Sequence, residues 1–169
     1  MFTGADALGG DNQIQSRESS ESIRATWAYL GGRRMRANYS EDLDQWDLIR
    51  WRGAVASAIR GKRGQAFLQE ILASLDAIPH RRLIAGQLIV ELLDGEDVCT
   101  IGAVGYTRKL KLAHLDPEDS ESIARIFGIT EALTREIEYI NDENGPSHET
   151  PEQRWFRMRA WVAEQVVSA

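Results

Sequence analysis

The chain has 169 residues, 43% of them hydrophobic, 27% charged and 8% aromatic, which is enough apolar material for one packed core. Its one cysteine, Cys99, excludes an intramolecular disulfide, and no basic-then-apolar leader or long apolar run marks the chain for export or membrane insertion, so the expected compartment is the cytoplasm. A net charge of −6 argues against a general nucleic-acid binder, but it is unevenly spread: +1 over residues 1–40, 0 over 41–111 and −7 over 112–169.

The chain begins with a polar Gly/Ser/Asp/Gln-rich stretch that cannot bury a core face, which predicts a disordered or weakly ordered extension over residues 1–34. Within it Ile23, Trp27 and Leu30 share one helical face, so an ordered helix docked on the domain is the alternative. Met35, at the break GGRRMR, is a candidate for the true start. In SEDLDQWDLIRWRGAVASAIR, Ser40 is the expected cap and Leu48, Trp51, Val55 and Ile59 the buried face, widened by Trp46, Ile49, Gly53 and Ala56; this predicts a central helix. Gly61 is the expected left-handed C-cap, and GQAFLQEILASLDAI forms the next helix, ending before Pro79.

RLIAGQLIVELLDGEDVCTIGAVGYTRKLKL suits strand or helix, and the Asp94-Gly95 turn signal favours a hairpin through Leu88 to Ile101. Cys99, Ala103, Tyr106 and Leu110 then share a helical face. Asp116-Pro117 starts a further helix with Ile123, Ile126 and Phe127 inward and Gly128 at its end. Thr130 caps the next, with Leu133, Ile137 and Ile140 inward, until NDENGP breaks it. Thr150, Pro151 and Gln153 read as a capping box for a last helix lined by Trp155, Met158, Val162 and Val166. The sum is a mainly α, compact multi-helix domain over residues 35–169 with one short β-hairpin.

Candidate chemistry is sparse. AIRGKRGQAF places Arg60, Lys62, Arg63 and Gly64 at a junction where a helix opens with free amides, an anion- or phosphate-binding arrangement that lacks the Walker pattern; a helical hairpin with a basic connection explains the same residues without a ligand. Arg108, Lys109 and Lys111 form a second basic cluster. Cys99 has no base near it in sequence and reads as a small buried side chain. Asn141, Asp142, Glu143, Asn144 and Gly145 mimic a calcium loop, but the register puts Ile140 and Pro151 where carboxylates are required, so the stretch reads as a side-chain-capped turn, and neither metal nor cofactor is expected. The carboxylates Asp94, Glu96 and Asp97, and Asp116, Glu118 and Asp119, read as solvated. In RWFRMRAWVAEQVV the mixture of Arg154, Arg157 and Arg159 with Trp155, Phe156 and Trp161 is either an interface or a core helix whose arginines pair with acidic neighbours.

The blocks WRGAVASAIRGKRGQAFLQEIL, RLIAG, DGEDVCTIGAVG, NDENG and ETPEQRWFRMRAWV, in this order, resemble a group of small uncharacterised proteins encoded by phages and prophages of Gram-negative bacteria, over roughly Met35 to Val166. The resemblance implies an accessory product acting inside an infected cell, and it carries no activity, ligand or catalytic residue with it. The expected function is a non-catalytic interaction module acting on a host protein, such as a nucleic-acid enzyme or a defence system. Asp116, Glu118, Asp119, Glu121, Arg154, Arg157 and Trp161 are the candidate contacts. The alternative is a nucleic-acid or nucleotide phosphate-binding module using residues 60–63.

Overall fold

The computed structural model describes residues 45–92 and 95–167. Expectations that rest on Ile23, Trp27, Leu30, Met35, Ser40 and Asp94 lie outside the described residues. From Gln45 the described chain forms one compact unit of six helices and a two-stranded antiparallel hairpin, the mainly α architecture that the patterning requires.

Helices α1 (Gln45–Arg60) and α2 (Lys62–Ala77) are joined by Gly61 alone. The central helix is α2, not α1: Phe67, Leu68, Ile71 and Leu75 are buried, each such side chain contributing about 1.5–3 kcal/mol. Of α1 only Val55 is fully buried, while Trp46 is 67% and Ile49 51% exposed. The reason lies in the width of its apolar face. Arg50, Arg52, Gly53 and Ser57 confine the stripe to Leu48, Trp51, Val55 and Ile59, enough to dock one side of a helix but not to surround it. Gly61 is extended (φ −66°, ψ 149°) and serves as N-cap of α2 rather than as a left-handed C-cap, which moves Lys62 and Arg63 into the first turn of α2.

Strands β1 (Ile89–Leu92) and β2 (Gly95–Val98) pair with Ile89 opposite Val98 and Leu92 opposite Gly95. A lone hairpin is marginal in water. This one is supported by Ile84 N–H donating to Val98 O at 3.0 Å, by Cys99 N–H donating to Leu88 O at 3.2 Å, and by helix α3 (Thr100–Thr107) beneath it. The first six residues of α3 are all buried. Of the residues expected to share a face, Cys99 and Ala103 are buried while Tyr106 and Leu110 are exposed; Ile101 and Val104 complete the core contacts.

Helix α4 (Ser120–Phe127) begins three residues later than Asp116-Pro117 predicts, with Asp119 as its N-cap, whereas α5 (Glu131–Asp142) and α6 (Pro151–Gln165) begin where their caps predict. The Asp119 and Thr130 side chains accept from Ser122 N–H and Leu133 N–H, and Thr150 and Gln153 form the reciprocal capping box. Gly128 ends α4 at φ 73°, a conformation that favours glycine. Ile126, expected in the core, is exposed, and Ala124 takes its place. Among the described residues no helix is long and apolar enough to cross a membrane.

Candidate functional site

The acidic cluster stays at the surface. Asp116, Glu118, Asp119 and Glu121 are all exposed around the start of α4. Asp116 Oδ1 accepts from Glu118 N–H at 2.9 Å and Asp119 Oδ1 from Ser122 N–H at 3.0 Å, so two of the four carboxylates also shape the turn. Hydrogen bonds from Ser122 hold the Asp119 carboxyl below the usual carboxylate range, which keeps it ionised. Glu121 meets only the exposed Arg125 at 2.8 Å, an ion pair of little energetic weight.

Arg154, Arg157 and Trp161, grouped with those acids as interaction candidates, turn inward. Trp161 is buried, and the Arg157 side chain is only 12% exposed. Arg157 forks onto Glu149, Nε to Oε1 at 2.5 Å and Nη2 to Oε2 at 2.7 Å, and its Nη2 also reaches Asn141 O at 3.1 Å. Arg154 donates to Asn141 O and Leu83 O, each at 3.0 Å. Two guanidinium groups thus satisfy the last carbonyls of α5 at its negative pole. The NDENG turn is therefore held from α6. Spacing carried the signal: 154, 157 and 161 fall on one helical stripe, and Glu149 stands just before the helix as their counter-charge.

Single arginines elsewhere are also occupied internally. Arg82 Nε meets Asp97 Oδ1 at 2.7 Å, so Asp97 is not the freely solvated carboxylate expected. Arg108 is held by both Glu70 oxygens, at 2.7 and 2.6 Å, and lies against the Phe67 and Phe127 rings. Arg159 is paired with Asp76. At the junction, in contrast, Arg60, Lys62 and Arg63 are exposed, and among the described residues no carboxylate pairs with them. Gly64 has a structural task there: a Cβ would stand 1.9 Å from Ala58 O, so only glycine lets α2 start this close to the end of α1.

Cys99 caps α3, its Sγ accepting from Gly102 N–H at 3.3 Å, and burial pushes its thiol up to about 12. Such a thiol yields almost no thiolate at neutral pH. A group that the sequence did not signal as perturbed is Glu138 on α5. Its Oε2 accepts from the Ser120 hydroxyl at 2.9 Å, and its Oε1 is buried without a partner. Burial raises this carboxyl to about 7; Asp142 and Glu131 add to the rise, while Ser120 and Arg135 oppose it. The available hint was a polar series, Thr134, Glu138 and Asn141, running beside the apolar one on α5. Asn141 is buried too, with Oδ1 accepting from the Thr100 hydroxyl at 2.7 Å and Nδ2 donating to Ile84 O at 2.8 Å.

The unfolded carboxyl titrates near 4.5, so between there and 7 the folded state holds a proton that the unfolded state has lost. The stability this provides is complete below 4.5 and lost as pH rises to 7. Glu138→Gln keeps an acceptor for Ser120 and removes the titration. Residual solvent around the group limits the effect: urea unfolding should find the variant about 1–2 kcal/mol more stable than wild type at pH 8, with the gap closing by pH 4. A gap independent of pH would exclude Glu138 as its source.

A cleft of about 140 Å³ between Ile78, Pro79, the hairpin and Tyr106 is lined by His80, Arg82 and Asp97, and the Arg82–Asp97 pair occupies its polar side. Among the described residues no three His, Cys, Asp or Glu side chains come together as a metal site. No family model, curated protein or solved structure matches the chain.

Proposed function

We propose that the protein is a non-catalytic accessory module of phage or prophage origin that works in the bacterial cytoplasm by occupying a basic surface of a host protein. The observation that carries this reading is the exposed acidic cluster at the start of α4: four carboxylates within six residues, in a C-terminal third of net charge −7. A basic cleft that normally takes nucleic acid is the complementary surface, and charge of this kind governs encounter rate and partner choice. The resemblance of its sequence blocks to those of small phage-encoded proteins supports the setting. The buried Cys99 thiol, at about 12, supports a role without nucleophilic chemistry.

The test is capture of the tagged protein's partners from nuclease-treated host lysate, with wild type compared to Glu118→Lys/Glu121→Lys. These positions leave the Asp116 and Asp119 turn bonds untouched. Turning attraction into repulsion at two positions should lower recovery of a stoichiometric partner by at least about tenfold. Unchanged recovery overturns the acidic-surface reading.

A further inference from the structure

The run from residue 48 to residue 69 contains no acid at all, in a chain of net charge −6, and carries Arg50, Arg52, Arg60, Lys62 and Arg63. Three of these stand within four positions at the α1–α2 junction, exposed and, among the described residues, unpaired with any carboxylate. Their placement costs stability. Lys62 and Arg63 occupy the first turn of α2, at the positive pole of the helix, where a cation is disfavoured and no acid is present to offset it. Meanwhile the carbonyls that close α1 have partners: Ser57 O accepts from Gly61 N–H at 2.9 Å, and Ile59 O accepts from the Gln65 side chain at 2.7 Å.

The backbone beneath these charges is fixed. Gly64 sits on Ala58 O, and Gln65 ties the junction to the end of α6, with Nε2 donating to Gln165 O at 2.9 Å and Oε1 accepting from Val167 N–H at 2.8 Å. A self-repelling trio of cations on a rigid support is relieved by a dense line of negative charge. We infer that the junction is a second interaction surface, which takes the phosphate backbone of a single-stranded nucleic acid through Arg60, Lys62 and Arg63. Two guanidinium forks and one ammonium within four positions suit a run of phosphates, since arginine matches phosphate geometry bidentately and lysine adds a point charge. The contacts are with backbone alone, so binding is independent of sequence. This surface is separate from the acidic one on α4, and either reading can fail without the other.

The experiment is fluorescence anisotropy of a labelled oligodeoxythymidine with the purified full chain, titrated between about 50 and 200 mM salt. Wild type is expected to bind, with affinity that falls as salt rises. Arg60→Ala/Lys62→Ala/Arg63→Ala should weaken binding at the lower salt by at least about tenfold and flatten the log–log salt slope by about 0.7 for each cation removed. All three side chains are exposed, and a thermal melt no lower than that of wild type establishes that the variant is folded. Arg125→Ala, a cation on α4, should leave the slope as it was. Absence of binding by wild type, or an unaltered slope in the triple variant, overturns the proposal. So does equal displacement of the strand by polyglutamate, which would show a preference for acidic protein over phosphate.

Discussion

Glu149→Gln is expected to destabilise the fold by about 3–5 kcal/mol, the cost of breaking a buried ion pair by removing one partner. Glu149 is 4% exposed and faces two arginines, Arg157 at 2.5 Å and Arg154 at 3.3 Å. Without its charge both guanidinium groups remain buried at the end of α5 with only backbone carbonyls to answer them. Gly145 has the same environment on its other side, since a Cβ there would meet Glu149 Oε2 at 2.6 Å and Arg157 Nη2 at 2.9 Å, so the cluster leaves no room for a bulkier turn. Chemical denaturation of the single variants Glu149→Gln and Arg157→Met and of the double variant closes a cycle. The double variant should cost well below the sum of the singles. Additive losses would mean that the two side chains act independently and that the pair is not the unit holding the turn.

Gly102→Ala should cost about 3 kcal/mol or more, because the added methyl meets backbone on a side that cannot retreat. A Cβ at Gly102 would lie 1.9 Å from Leu88 O and 3.2 Å from Val98 Cβ. Leu88 O is also the acceptor of Cys99 N–H at 3.2 Å, so moving it breaks the link between the hairpin and α3. Gly53→Ala is the matched contrast. Gly53 is exposed in the middle of α1 with nothing among the described residues within 4 Å of a Cβ, and there alanine should stabilise by about 0.5–1 kcal/mol. Thermal melts of the two variants moving in the same direction would refute this account of α3 packing.

Three local signals agree between the sequence and the structure. Thr130, Thr150 with Gln153, and Gly128 act on amides and carbonyls a few residues away, so their chemistry is complete within the motif. The α1 position was less legible because an amphipathic stripe reports that a face is buried, not how many neighbours cover it. The direction of Arg154 and Arg157 was open for a related reason: the same residue beside tryptophan serves an interface or a helix end, and the choice depends on Glu149, whose approach is a tertiary event. Glu138 looked like any surface glutamate until Ser120 was placed against it. At the junction Arg60, Lys62 and Arg63 are exposed, but Gly61 beside them has the opposite capping role to the one its type suggests.

The hydrogen bond from Trp155 Nε1 to Leu75 O, at 2.9 Å, joins positions 80 residues apart, and Gln65 reaches Gln165 across 100. The central helix therefore receives one of its main partners from the opposite end of the domain. On a translating ribosome α2 emerges early with Phe67, Leu68 and Ile71 uncovered and waits for α6 to be synthesised before its core can close. Such a chain acquires its final packing after, not during, the synthesis of the intervening elements, and in that interval the uncovered α2 face is open to chaperones or to a neighbouring nascent chain.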